Sequence, residues 1–191
     1  MSQSIADIFL KINRIVGMAY ILPKTGNKGL PGIFLEELLG IPQTSNCLDC
    51  SDGELKTFPV KRLKSGNLVP KESIAVTMLS TEELRLCEFQ SSKCCKKMSR
   101  MLLVPYLRTN DTVRYLAPRI LDREAEDCAE LYAALEADYS EIRAQYLDSG
   151  ILKSRTGKFL QNRTKGAGHG STSRAFYLRP AFIKVCLPLS E

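Results

Sequence analysis

The 191-residue sequence predicts one mixed α+β domain, with helices packed on a β-sheet. Three observations lead there. Residues 3–18 and 122–148 repeat apolar side chains at helical spacing. Three runs between them read as strands, bounded by turn residues. Hydrophobic residues make up 44% of a chain long enough for one well-buried core and short for two.

Residues 3–18 place Ile5, Ile8, Phe9, Ile12 and Ile15 near one face of an amphipathic helix. "LPKTGNKGLPG" is a turn-rich connector, and "IFLEELLG" a short helix stopped by Gly40. A β-meander follows in "GELKTFPV", "SIAVTMLS" and "SRMLLVPYL", the last apolar enough for a central strand. The clearest helix covers 122–148. Its core face is Cys128, Leu131, Tyr132, Leu135, Tyr139, Ile142 and Tyr146, and Ser149-Gly150 ends it. Its outer face is acidic, so a polyanion must meet the chain elsewhere. Short strands around the glycine-rich loop "TKGAGHGST" and a helix after Pro180 complete the order.

Such a polyanion is suggested by charge. The net charge is +6, yet residues 149–190 alone carry eight Lys or Arg and no acid. A basic segment that also holds strand-like and aromatic residues fits a nucleic-acid contact better than a disordered tail. No apolar run reaches the roughly 18 to 20 residues needed to span a bilayer. The N-terminus does not read as a secretory signal, and the seven cysteines read as reduced thiols in a cytoplasmic protein.

The chemistry concentrates in "CLDCSDGELKTFPV", residues 47–60. In a strand, Glu54 and Lys56 share one face while Leu55 and Thr57 take the other. With Leu55 in the core, Glu54 and Lys56 stand side by side at the sheet surface. That pair suits metal-assisted hydrolysis of phosphodiesters. Mg²⁺ prefers oxygen ligands and keeps several waters, so Glu54, the Leu55 carbonyl and either Asp49 or Asp52 would complete its site. The Lys56 ammonium would orient the attacking water and offset charge on the phosphate. Two plainer readings compete. Glu-x-Lys is also a common solvated pair, and Cys47 and Cys50 could be half a zinc site. Zinc would need two further ligands, and the adjacent Cys94 and Cys95 offer poor geometry. These cysteines read better as buried small hydrophobes.

Four blocks, "NKGLPGIFLEELLG", "LDCSDGELKTFPV", "KCCKKMSRMLLVPY" and "KFLQNRTKGAGHGSTSRAFYLR", follow in order the motifs of the MutH family, which the chain resembles over about residues 27 to 183. That family joins the mismatch-repair nicking endonuclease with restriction endonucleases that cut GATC. The resemblance implies the PD-(D/E)XK fold, a central mixed sheet flanked by helices with a DNA-binding cleft. It implies one endonuclease domain over 1–191, with a catalytic core in 1–148 and a DNA-recognition segment in 149–191. It also implies Mg²⁺ as cofactor, with Asp49 and Glu54 as metal ligands and Lys56 as catalytic lysine. Lys28, Glu36 and Lys97 match further positions around the scissile phosphate. The spacing from Asp49 to Glu54 is two residues shorter than in the family's repair enzyme, which keeps Asp52 as a rival ligand. In the basic segment, Arg163 and Lys165 match residues that approach base edges, and Tyr177 an aromatic that senses the adenine of GATC. Arg155, Lys158 and Arg174 suit phosphate contacts. His169, between glycines, is left out of catalysis. The shorter stretch between Lys165 and Arg174 favours a type II restriction enzyme over a repair nickase, with a non-catalytic DNA-binding module as a third reading. The expected partner is double-stranded DNA, met by a monomer that pairs on it. An accessory repair protein enters only for the nickase.

Overall fold

The computed structural model describes residues 3–23, 26–42, 47–166 and 172–189. Along the chain run α1 (Ile5–Asn13), β1 (Ala19–Ile21), α2 (Leu30–Leu39), β2 (Glu54–Arg62), β3 (Leu68–Pro70) and β4 (Ile74–Met78). Then come α3 (Thr81–Leu86), α4 (Lys93–Met98), β5 (Arg100–Thr109), β6 (Thr112–Tyr115) and β7 (Arg119–Asp122). Last are α5 (Ala129–Ser149), β8 (Leu160–Thr164), β9 (Arg174–Leu178) and α6 (Pro180–Cys186). The chain forms two compact units that interleave in sequence.

The first unit comprises Met1–Glu72, Arg100–Asp122 and Leu187–Glu191. Helix α1 begins at a reciprocal cap: the Ser4 hydroxyl accepts the Asp7 N–H and the Asp7 carboxylate accepts the Ser4 N–H, each at 3.2 Å. Ile5, Ile8 and Ile12 are fully buried, each contributing about 1.5 to 3 kcal/mol by leaving water. The helix is shorter than its periodicity suggests. It stops at Asn13, and a turn delivers the Gly17 N–H to the Tyr115 carbonyl at 2.9 Å. Helix α2 carries Pro31 in its first turn, where a missing N–H costs nothing, and ends on Gly40 in the left-handed conformation.

The sheet of this unit has the order β1-β6-β5-β2-β3, with β7 also paired to β5. Strands β2 and β5 run parallel, from Glu54 opposite Met101 to Val60 opposite Leu107, and the other pairings are antiparallel. The sheet is therefore mixed. Parallel neighbours cannot be joined by a tight turn, and the connection here includes residues 73–99, which belong to the second unit. The expected meander is thus corrected: "GELKTFPV" and "SRMLLVPYL" lie side by side in parallel, and "SIAVTMLS" joins a different sheet. The expectation for β5 holds. It is the central strand, with Met101, Leu102, Leu103 and Val104 all fully buried. Leu55, Leu102, Val104 and Tyr106 pack in one core with Ile5, Ile8, Ile12, Leu35 and Leu39 of the two helices.

The second unit comprises Ser73–Ser99 and Arg123–Cys186. Its antiparallel sheet has the order β4-β9-β8. Helix α5 buries Tyr132, Leu135, Asp138, Tyr139, Ile142 and Tyr146. Tyr139 stacks on Phe176 of β9 at 5.4 Å, and the Tyr132 hydroxyl donates to the Met98 carbonyl at 2.6 Å. Ser80 and Ser92 cap α3 and α4, whose six-residue lengths leave too few turns to show a period in the sequence. All seven cysteines are free thiols. Among the described residues no helix is long and apolar enough to cross a membrane.

Candidate active site

The turn before β2 is pinned from several sides. The Cys50 N–H bonds the Gly53 carbonyl at 3.0 Å, and the Ser51 N–H bonds the Gln3 carbonyl at 2.9 Å. Asp49, the favoured metal ligand, and its rival Asp52 separate here. Asp52 accepts the Ile5 N–H at 2.7 Å on one oxygen and the Arg100 guanidinium at 2.6 Å on the other. It ties the start of α1 to the start of β5. Arg100 in turn reaches Asp122 at 3.2 Å, which closes an ion network around Asp52. Asp49 accepts the Leu55 N–H at 3.2 Å, so its carboxylate lies against the strand that carries Glu54 and Lys56.

Glu54 and Lys56 share a face as the strand period requires, and the Lys56 ammonium touches the Glu54 carboxylate at 2.6 Å. They stand side by side on the sheet face as expected, but that face is largely covered there. Glu54 is 1% exposed and Lys56 only 20%. A carboxylate this buried is sustained by charge and hydrogen bonding and not by water, so the bland solvated-pair reading fails on geometry.

Helix α2 brings a third acid. Gly32 approaches β2 so closely that a Cβ would lie 2.8 Å from the Thr57 hydroxyl. One turn further on, Glu36 feels the same cluster. Its carboxyl is pushed above the usual range, first by burial, then by the negative charge of Asp49, with Glu54 adding to the rise and Lys56 opposing it. Glu36, Asp49, Glu54 and Lys56 are therefore brought together, three carboxylates against one ammonium. Among the described residues no three His, Cys, Asp or Glu side chains converge as a ready metal cage. A Mg²⁺ ion does not need one, because water fills most of its octahedron.

The other predicted residues fall elsewhere. Lys28 lines an open pocket of about 200 Å³ with Pro59, Lys71, Glu72, Tyr106 and Arg108, beside the far end of β2 from Glu54. Lys97 lies half-buried in the last turn of α4, within the second unit. Cys47 is half-buried and Cys50 buried. Burial and the charges of Asp49, Asp52 and Glu54 push the Cys50 thiol up to about 12, and burial pushes Cys94 well above its ordinary value. Burial thus favours the neutral thiol at Cys50 and Cys94.

The DNA-reading candidates lie in the second unit, most of them on the β8–β9 hairpin and the connector that leads into it. Gln161 pairs with Tyr177 and Arg163 with Ala175. The Arg163 guanidinium is 5.8 Å from the centre of the Tyr177 ring, so the sequence's two base-reading candidates are neighbours. Lys165 is exposed, and its N–H bonds the Ser173 carbonyl at 2.8 Å. Arg155 and Lys158 are exposed on the connector before β8, with the Lys158 ammonium 4.8 Å from the Phe159 ring centre. Arg174 is half-buried and donates to the Asn162 side chain at 2.8 Å, a cross-strand bond that holds the hairpin. His169 and most of the glycine-rich loop lie outside the described residues.

One residue that the sequence reading passed over is Asp138. It breaks the apolar stripe of α5 yet is 6% exposed, and its carboxylate accepts the N–H groups of Lys158, Phe159 and Leu160 at 2.6 to 2.7 Å. The signal was present: an acid one position before Tyr139, on the inward side of a helix whose other acids are exposed or only half-buried.

No curated protein matches the chain. Residues 44–125 match the family model of the DNA mismatch repair enzyme MutH. The matched segment holds Asp49, Glu54 and Lys56 and the central strands β2 and β5. Over that segment the chain is similar to MutH, and its mixed sheet flanked by helices fits the PD-(D/E)XK fold of that family.

Proposed function

We propose that the chain is a Mg²⁺-dependent endonuclease that hydrolyses DNA at GATC, as a type II restriction enzyme of the cytoplasm. The observation that carries this reading is the corner of β2, where Glu54 and Lys56 touch on one face and Asp49 holds the adjoining N–H. Three carboxylates against one ammonium leave an excess of negative charge that a divalent cation relieves. Asp49, Glu54 and the Leu55 carbonyl would hold Mg²⁺, which supplies positive charge to polarise the scissile phosphate when bound. Lys56, in contact with Glu54 at 2.6 Å, would orient the attacking water and offset charge on the phosphate. Arg163 offers the planar fork of donors that fits O6 and N7 of guanine in the major groove. Tyr177 beneath it supplies an aromatic face for the neighbouring adenine. The exposed Lys158 and Arg155 set register through phosphates.

A mismatch-repair nickase is the second reading, favoured by the description of the matched family. The chain contains one "ELK" block and hence one catalytic set. That set cuts one strand per engagement, so cutting both strands of a palindrome takes two chains or two visits. The test is plasmid digestion, with and without adenine methylation at GATC, in Mg²⁺ and then in Ca²⁺. The restriction reading expects cutting in Mg²⁺ alone, with linear product rising more steeply than first order in enzyme. Nicked circles that become linear only with an accessory repair protein establish the nickase. Specific binding with no cutting under any condition marks a non-catalytic DNA-binding module.

A further inference from the structure

We propose that Asp138 is the positioning residue of the DNA-reading hairpin, fixing where β8 begins and so which side chains reach the bases. The inference rests on the reading of β8–β9 as the base-reading element. Along α5, Glu130, Glu141 and Asp148 are exposed and Glu136 is half-buried, whereas Asp138 is 6% exposed. A carboxylate leaves water only where donors replace it. Here the donors are three consecutive backbone N–H groups: Lys158 to Oδ1 at 2.7 Å, then Phe159 and Leu160 to Oδ2 at 2.6 and 2.7 Å.

In an extended strand successive N–H groups point in opposite directions, so three in a row can meet one carboxylate only if the chain wraps around it. Gly157 makes the wrap possible. Its φ is +85°, and a Cβ there would lie 2.0 Å from the Leu160 carbonyl oxygen. Leu160 is the first residue of β8 and pairs with Leu178, and from that register Arg163 falls opposite Ala175. A slip of one residue would turn every β8 side chain to the other face. Arg163 would then leave Tyr177.

The preceding connector is tied as firmly. The Gln145 side-chain oxygen accepts the Lys153 N–H at 3.2 Å and the Thr156 hydroxyl at 2.8 Å. Arg179 donates to the carbonyls of Ser154, Arg155 and Thr156 at 2.9, 3.1 and 3.3 Å. The backbone is thus set before DNA arrives, which removes an ordering cost from binding. An asparagine at 138 keeps the size but turns an amide NH₂ toward N–H donors.

The experiment compares wild type and Asp138→Asn in Ca²⁺, by fluorescence anisotropy on a GATC duplex and on the same duplex with the site scrambled. Asp138→Asn should lower the ratio of the two affinities by roughly tenfold or more, about the worth of one lost base contact. An unchanged ratio with only a lowered melting temperature overturns the inference and leaves Asp138 a merely structural acid. A wild type that binds both duplexes equally overturns the base-reading role and the inference with it. If Asp138→Asn does not fold, hydrogen exchange on the wild-type chain decides: slow exchange at amides 158–160 supports the anchor, and exchange at the rate of exposed loops overturns it.

Discussion

The corner of β2 and the β8–β9 hairpin solve opposite problems with the same kinds of residue. At the corner, Glu54 is buried and touches Lys56, and Glu36 is partly desolvated beside them. Charge is concentrated there, away from water, where each electrostatic contact is stronger. On the hairpin and its connector, Arg163, Lys165 and Lys158 stand exposed, while the acid that holds the connector from α5, Asp138, is buried. On the proposed function, the first region acts on a phosphate at short range. The second presents cations outward on a backbone held from below. Residues at the corner should therefore govern rate, and residues on the hairpin should govern where the chain binds.

Substitution at the corner tests this division most severely. Glu54→Ala or Lys56→Ala should lower cleavage by about 10²-fold or more, the size seen when one charge-stabilising group is removed. Affinity for DNA should stay near that of wild type. Plasmid nicking alongside anisotropy measures both, and wild-type cutting by either variant would mean that chemistry lies elsewhere.

The two aspartates of the turn sharpen the comparison within the corner itself. Asp49→Asn should lose cutting and Ca²⁺ binding together. Asp52→Asn keeps an acceptor for the Ile5 N–H and weakens only the half-exposed Arg100 pair, at a cost under about 1 kcal/mol. It should keep most activity. Calorimetric Ca²⁺ titration and thermal melts separate the two, and the reverse pattern would move the metal site to Asp52.

On the hairpin the effects are smaller and of another kind. Arg163→Ala should cost about 1 to 3 kcal/mol of discrimination between GATC and scrambled DNA, with the cleavage rate at saturating DNA little changed. Equal weakening on both duplexes would reduce Arg163 to a phosphate contact. Lys158→Ala should have the least effect. It should weaken binding to all sequences alike and lower the slope of log affinity against log salt by about one, read from a salt series on random DNA.

How much of this was legible depended on the range of the interaction. Local signals read well: the Gly40 and Gly150 stops, the alternation that puts Glu54 beside Lys56, and the period of α5 from Ala129 on, although the expected start at 122 is the end of β7. Short elements read poorly. Strand β1 has three residues with two exposed, so it shows no pattern, and β6 and β7 are four-residue strands secured by pairing to β5. The meander was misread because adjacency in sequence was taken for adjacency in space. Strand β4 finds its partner in β9, about a hundred residues on. The sequence favours Asp49 over Asp52 but does not show why Asp52 is occupied elsewhere, for the same reason: Arg100, which claims Asp52, is 48 positions away. Burial of Glu54 was hidden too, since a strand's alternation gives the face of a side chain but not what covers that face.

The interleaving of the two units bears on how the protein is born. Strand β2 leaves the ribosome well before its neighbour β5, since Glu54 pairs with Met101. Strand β4 waits longer, because Ile74 pairs with Leu178, about a hundred residues on. The β4-β9-β8 sheet cannot close on an N-terminal fragment, whereas every strand of the larger sheet lies within residues 19–122. A nascent chain therefore carries its acidic turn and lysine before they have a scaffold, and truncation products that end before Arg100 should lack the strand that supports β2.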